Sequence, residues 1–263
     1  MYMEDVSIII PHVIDWEMTK RCVDSCLANG KSKAIYILDN SKDGIEDFDY
    51  PDDRIVYVYR IYDTENDIPR SCASAWNMGL SLTGSKYVII LNSDTEVPAS
   101  FDFIMRQEIE YFKDCVCLSV PEIHPDNWKH TTDFSKLDNG KFSEGLNGPC
   151  FMVDRNYVFE IGGFDQRFTP SCYEDVDFFK RLVEDGKKAI VTGRTCVMHH
   201  GAYTRNSEEM LKIDADQNGC YHIVANKRRF CEKWGVDESE ADKWEQNMKK
   251  WYGMEYEHHY KAI

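Results

Sequence analysis

The chain of 263 residues carries 46 acidic against 31 basic side chains, a formal charge of −15, at 43% hydrophobic residues and a mean hydropathy of −0.53. That charge opposes the long-range attraction used by nucleic-acid and anionic-membrane binders, and no apolar run reaches the roughly 18 to 20 residues of a membrane span. The opening Met1-Tyr-Met-Glu-Asp5 lacks the basic segment of a secretory signal, so a cytoplasmic protein is expected, and the ten cysteines, without Cys-x-x-Cys pairs, read as buried thiols rather than a zinc site or disulfide framework.

Val6-Ser-Ile-Ile-Ile-Pro11 predicts a short strand that proline should end. Asp15 to Asn29 has apolar residues at helical spacing and stops at Asn29-Gly30. Ala34 to Asp39 is a second strand, followed by the turn-rich Asn40-Ser-Lys-Asp-Gly44. Arg54 to Tyr59 alternates as a third strand, and Ser71 to Leu82 reads as a helix. Tyr87-Val-Ile-Ile-Leu91 is an unbroken apolar run, the signature of a buried strand, and it empties directly into Asn92-Ser-Asp94. Its exit places a carboxylate at the strand edge where open α/β sheets bind ligands, although Asp94 could instead cap a helix beginning near Pro98. The strand and helix alternation implies an α/β fold with a mostly parallel central sheet and helices on both faces.

A helix from Pro98 to about Phe112 leads to a strand over Cys115 to Val120. Residues 122–148 show no clear period and read as an irregular excursion, with a hairpin signal at Asn139-Gly140. Phe151 to Val153 is strand-like, Arg155 to Ile161 a short helix, and Gly162-Gly-Phe-Asp165 a sharp turn. Glu174 and Asp175 open the next helix, whose apolar face is Val176, Phe179, Leu182 and Val183. At a helix amino end the dipole favours negative charge, so both carboxylates are expected to be ionised at neutral pH; simple capping would place them there equally well. Ala189 to Thr192 and Cys196 to Met198 are strand-like, the second ending at His199-His200, which are candidate metal ligands or ordinary surface residues. The basic run Lys227-Arg228-Arg229 reads as a solvated helix face. A helical tail at 207–263 is expected to pack on the domain or on a second subunit through Trp244, Met248, Trp251, Tyr252 and Tyr256.

Taken together, Val6 to Pro11, Asp39-Asn-Ser-x-Asp43, Asn92-Ser-Asp94, Gly162-Gly-Phe-Asp165, Glu174-Asp-x-Asp177 and His199 resemble, in order and spacing, the family 2 glycosyltransferases over residues 6 to 235. The nearest pattern is that of the rhamnosyltransferase-like subgroup, and Lys233-Trp-Gly235 resembles the end of its domain. The resemblance implies a GT-A fold over 1–206, with a nucleotide-binding half to about 98 and an acceptor-binding half beyond. It implies an inverting hexosyl- or deoxyhexosyltransferase using a UDP- or dTDP-linked sugar, a hydroxyl or carbohydrate acceptor, and Mn2+ or Mg2+. Pro11, Val13 and Asp39 would hold the base, Asn77 and Asn92 would contact the nucleotide, and Asp94 and His199 would hold the metal. Asp175 would be the base and Glu174 its neighbour at the acceptor, with Gly148 and Gly162-Gly163 as acceptor-side walls. The family's usual Asn-x-Gly before the helix asparagine is replaced here by Pro69 and Ser71.

Gly201 to Ser207 is polar after a glycine and reads as a lid over the donor diphosphate, with Arg205 placed to grip phosphate oxygens, or as an ordinary solvated connection before a helix starting near Ser207. Competing readings are a nucleotidyltransferase, for which no glycine-rich phosphate loop is found, a non-catalytic binding module, and a transferase acting on hydroxylated DNA bases, which the net charge disfavours.

Overall fold

Successive isoleucines at positions 8, 9 and 10 set the layering, because side chains alternate across a strand and all three here are fully buried. Ile9 joins a core with Leu38, Val88 and Ile90 on one face of the sheet, and Ile8 and Ile10 join Ile35, Ile37 and Ile89 on the other. Both faces must therefore carry helices. The computed structural model describes residues 2–45, 48–58, 61–123, 125, 140–201, 222–250 and 256–257.

The strands are β1 (Met3–His12), β2 (Ser32–Asp39), β3 (Ile55–Val58), β4 (Tyr87–Leu91), β5 (Thr95–Glu96), β6 (Cys115–Ser119), β7 (Glu122–Ile123), β8 (Lys141–Glu144), β9 (Cys150–Asp154), β10 (Lys188–Thr192), β11 (Val197–His199) and β12 (Tyr256–Glu257). The nine-stranded sheet runs β12-β8-β10-β6-β9-β4-β1-β2-β3. β3, β2, β1 and β4 are mutually parallel, as are β6 and β10, whereas β9 runs antiparallel between β4 and β6. A second sheet joins β5, β11 and β7. The helices are α1 (Trp16–Asn29), α2 (Cys72–Leu82), α3 (Phe101–Tyr111), α4 (Arg155–Glu160), α5 (Glu174–Glu184), α6 (His222–Trp234) and α7 (Glu238–Met248).

Several expectations need correction. β1 runs through Pro11 to His12, opposite Asp39. Beyond Ile9 it is bonded to β2 alone, and a strand bonded on one side tolerates a residue without an N–H. Residues 122–148 are not wholly irregular, since they hold β7 and β8, strands too short to show a period. The stretch around Asn139 lies outside the described residues. On α5, Val176, Phe179 and Leu182 are buried as expected, but Val183 is exposed and Phe178 is buried in addition. The tail does not continue as helix to Tyr256, because Tyr256 and Glu257 add a strand to β8.

α6 and α7 share the core of the sheet face that α2 and α5 cover, through Phe230, Ala241 and Met248. Trp244 lies 6.4 Å from Phe179, and the Lys180 ammonium sits 4.2 Å from the Trp234 ring and 4.4 Å from the Trp244 ring. Trp251 and Tyr252 lie outside the described residues. Lys227 pairs with Asp242 at 2.6 Å, so part of the basic run ties α6 to α7. No described helix is long and apolar enough to cross a membrane.

Candidate active site

β4 is buried along its whole length, so its first polar side chains appear only where it leaves the sheet. There Asn92, Ser93 and Asp94 line a cleft of about 290 Å³, together with Pro11 and Val13 from the end of β1. This is the carboxyl edge of parallel strands, where crossovers leave a crevice. The turn is pinned by Thr95 Oγ1 donating to Asn92 O at 2.7 Å and Asn92 N donating to Pro149 O at 2.9 Å. Asp94 does not cap the following helix: α3 begins at Phe101 with Ser100 at its cap.

The small sheet brings a distant histidine to Asp94. His199 stands opposite Thr95 in the register, and His200 N donates to Asp94 O at 2.9 Å. His199 Nε2 is thereby 3.3 Å from Asp94 Oδ1, while its Nδ1 donates to Glu122 Oε2 on β7. Burial alone would lower the His199 pKa, but hydrogen bonds to Asp94 and Glu122 and their charges outweigh it, pushing the pKa up to about 9. His200 is directed elsewhere, its Nε2 donating to Glu96 Oε1 at 3.2 Å.

Asp94 and His199 fit a divalent cation by their chemistry, one hard oxygen donor and one imidazole nitrogen, a mixture suited to manganese. Glu122 completes the pattern, since a ligating imidazole commonly gives its other N–H to a carboxylate that fixes its tautomer. Among the described residues no group of three or more His, Cys, Asp or Glu side chains is arranged to hold a metal.

Glu174 and Asp175 line the same cleft. Glu174 is only 5% exposed, and its Oε2 is buried without a hydrogen-bond partner among the described residues. Burial first, and then the neighbouring Asp175 charge, push its carboxyl well above the ordinary range. Burial also raises Asp175, against the backbone hydrogen bond that Val176 N gives its Oδ1 at 2.8 Å. Ionisation at neutral pH therefore does not follow from the helix terminus: for buried carboxyls desolvation outweighs the dipole. Gly148 leaves Asp175 room, as a Cβ there would lie 3.2 Å from Asp175 Oδ2.

Two other expected residues are engaged within the fold. Asp39 is fully buried and accepts from Ser41 N, Ser41 Oγ, Ile45 N and Tyr57 Oη, so its carboxylate braces the loop after β2. Asn77 does not line the cleft. Its Nδ2 donates to Phe164 O at 2.7 Å and its Oδ1 accepts from Phe164 N at 2.8 Å, which latches α2 to the Gly162-Gly163 turn. Gly163, at φ +79°, must lack a Cβ because one would meet Asn77 Oδ1 at 2.8 Å. The turn thus acts as a packing device. Arg205 and the rest of the expected lid at 202–207 lie outside the described residues.

The sequence reading missed Arg70 and Glu122. Arg70 is the one lysine or arginine among the described residues lining the cleft. Its backbone is clasped by Asn40, which accepts from Arg70 N and donates to Arg70 O, each at 2.9 Å, while Arg70 Nε donates to Ile61 O at 2.6 Å. Pro69 lines the cleft beside it and Ser71 caps α2, which is what the departures from the family pattern do here. Glu122 carried a usable signal, an acidic residue directly after a strand exit closed by Pro121.

This sheet, its helices and the cleft at its carboxyl edge are those of a GT-A glycosyltransferase. GalNAc-T7, solved with UDP, GalNAc and Mn2+, superposes with a TM-score of 0.57 at 13% identity, over 95% of this chain and 57% of that one. The mannosyltransferase PcManGT from Pyrobaculum calidifontis, in complex with GDP-Man and Mn2+, gives 0.56 at 13% identity, over 85% and 64%. At such identity the likeness is one of fold.

The family model for glycosyl transferase family 2 matches residues 7–152, and the chain belongs to that family. An N-acetylglucosaminyl-diphospho-decaprenol L-rhamnosyltransferase of Mycobacterium tuberculosis is 29% identical over 82 residues, 31% of this chain and 26% of its own length. The O-antigen biosynthesis protein RfbC of Myxococcus xanthus is 29% identical over 69 residues, 26% of this chain and 5% of its own. The matches therefore span 26% and 5% of those relatives' own lengths.

Proposed function

We propose that this chain is an inverting glycosyltransferase that moves a sugar from a nucleoside-diphosphate sugar to a hydroxyl acceptor, a glycan or its precursor. One juxtaposition carries the reading: the Asp94–His199 pair and the Glu174–Asp175 pair line a single cleft at the carboxyl edge of the sheet. Pro11 and Val13 form the base end of the donor site, while Asp39 acts through the loop it braces. Arg70 offers a guanidinium to phosphate oxygens, which it can grip two at a time. A divalent cation held by Asp94 and His199 would neutralise charge on the departing diphosphate. The two solved neighbours name Mn2+ alongside UDP or GDP-Man, and the mycobacterial relative is named for rhamnosyl transfer, so UDP-, dTDP- and GDP-linked sugars are the donors to test.

Asp175 takes the acceptor proton as that oxygen attacks the anomeric carbon, a role that typically contributes about 10² to 10⁴ in rate. Glu174, whose buried carboxyl favours the protonated form, donates a hydrogen bond from the adjoining wall. A single displacement leaves the anomeric carbon inverted and needs no enzyme nucleophile, so the buried cysteines have no part. The test is a screen of nucleotide sugars for released nucleoside diphosphate, with and without manganese. Release with at least one donor, increased by manganese, is expected. A chain that binds nucleoside diphosphate by calorimetry yet turns over no donor overturns the reading.

A further inference from the structure

We propose that Asn226, in the middle of α6, is a positioning residue that aims Glu174 and Asp175 into the cleft; the inference rests on the catalytic reading of those carboxylates. Asparagine is a poor helix former and a costly residue to bury, so a fully buried one in a helix interior calls for a partner. Its Nδ2 donates to Ser171 O at 2.8 Å and to Cys172 O at 2.9 Å. Both amide hydrogens are therefore directed at successive carbonyls of one short segment, and Arg229 Nη1 donates to its Oδ1 and fixes which way the amide points.

That segment is the approach to the catalytic helix. Cys172 and Tyr173 both adopt the left-handed conformation, at φ 76° and 71°, and Tyr173, at the amino cap of α5, makes no side-chain capping bond among the described residues. Residues with a Cβ hold that conformation only where surroundings impose it. Orienting the carbonyls of Ser171 and Cys172 fixes the peptide planes on either side of Cys172, and with them the direction in which α5 starts. Ser171 and Cys172 line the cleft themselves, directly before Glu174 and Asp175. One turn further along α6, Phe230 packs against the Tyr173 ring at 5.6 Å, so a single helix grips the approach at two points. The carboxylates thus take their aim from a helix some fifty residues later in the chain.

The test uses the whole chain with the donor found most active in the nucleotide-sugar screen, and Asn226→Asp, which keeps the shape but turns an acceptor toward two carbonyls. Calorimetric titration with the nucleoside diphosphate and manganese counts binding-competent sites, and turnover is expressed per site. Loss of folded protein alone lowers the count and leaves the rate per site unchanged. We expect kcat per site to fall between about ten- and a hundredfold, the scale of an ångström-level misplacement, with donor KM and nucleotide affinity within about twofold of wild type. Asn226→Ser keeps one donor and serves as the second variant if Asn226→Asp folds poorly; its fall should be smaller but measurable. Lys227→Ala, one residue along the same helix and facing Asp242, should leave the rate per site unchanged. If both Asn226 variants turn over at the wild-type rate per site, the positioning role is overturned while the functional reading stands. If wild type itself turns over no donor, the reading falls and the inference with it.

Discussion

Replacing Asp177 with asparagine removes a negative charge from a fully buried point where Arg181 Nε, Lys233 Nζ and Trp234 Nε1 converge at 2.9, 2.7 and 3.0 Å. Breaking a buried ion pair by truncating one partner usually costs about 3 to 5 kcal/mol, because the remaining charge is left uncompensated. Here the survivors keep other partners: Lys233 retains Asp165 at 2.8 Å, and Arg181 retains the carbonyl of Ile161 at 3.1 Å. The lower end, about 3 kcal/mol, is therefore expected. At about 2 to 4 °C per kcal/mol for a chain near this size, that lowers Tm by roughly 6 to 12 °C. Asp165→Asn is the comparison: its Arg167 partner is 68% exposed and its Lys233 partner keeps Asp177 at 2.7 Å, so it should cost less than Asp177→Asn. Thermal melts followed by circular dichroism, together with urea unfolding, measure both. An Asp177→Asn variant that melts no lower than Asp165→Asn would refute the argument that this buried charge joins α5 to α6.

Asp94→Ala should abolish manganese-stimulated release of nucleoside diphosphate, and His199→Ala should weaken it less, as read from initial rates across a metal titration; a fully active Asp94→Ala would remove the metal assignment. Asp175→Asn should abolish transfer while calorimetry shows nucleotide affinity retained, and Glu174→Gln alone being inactive would exchange their roles. Because Asp175 must be ionised to accept a proton and its pKa is raised by burial, wild-type kcat should fall with decreasing pH at values above the ordinary aspartate range. Glu174 also has a raised folded-state pKa, so its contribution to stability is fully present below the ordinary glutamate pKa and is lost as pH rises through the folded value. Glu174→Gln escapes that loss, so its stability advantage in urea titrations should grow across this window; an advantage independent of pH would contradict it.

The apolar run of β4 was legible because a strand buried on both faces leaves no polar residue to break it, and the polar exits of β4 and β2 marked Asp94 and Asp39. His199 and the Glu174-Asp175 pair were likewise legible as polar residues ending or opening regular elements. Short strands such as β7 and β8 were not, having too few residues to show a period. Nor could sequence spacing reveal that Asp39 and Asn77 would be taken up by Tyr57 and Phe164, or that Arg70 would line the cleft, since those outcomes depend on contacts between distant segments. The helix terminus alone was an incomplete guide to the Glu174 and Asp175 carboxyls for a related reason: it is local and visible in sequence, whereas the desolvation that raises both is set by everything packed around them.

The pairing of β5 with β11 has a consequence for how the protein is made. Asp94 and His199 are roughly a hundred residues apart, and closing so long a loop costs about 4 kcal/mol in chain entropy before any contact is gained. Two register pairs and two histidine–carboxylate contacts are too little to carry that cost, so the larger sheet must close first. A nascent chain whose ribosome has passed only the first half could already shape the cleft wall around Pro11 and Val13. It could not yet assemble the Asp94–His199 pair, so on the proposed reading the grip on a donor's diphosphate would be missing until residue 199 had been made.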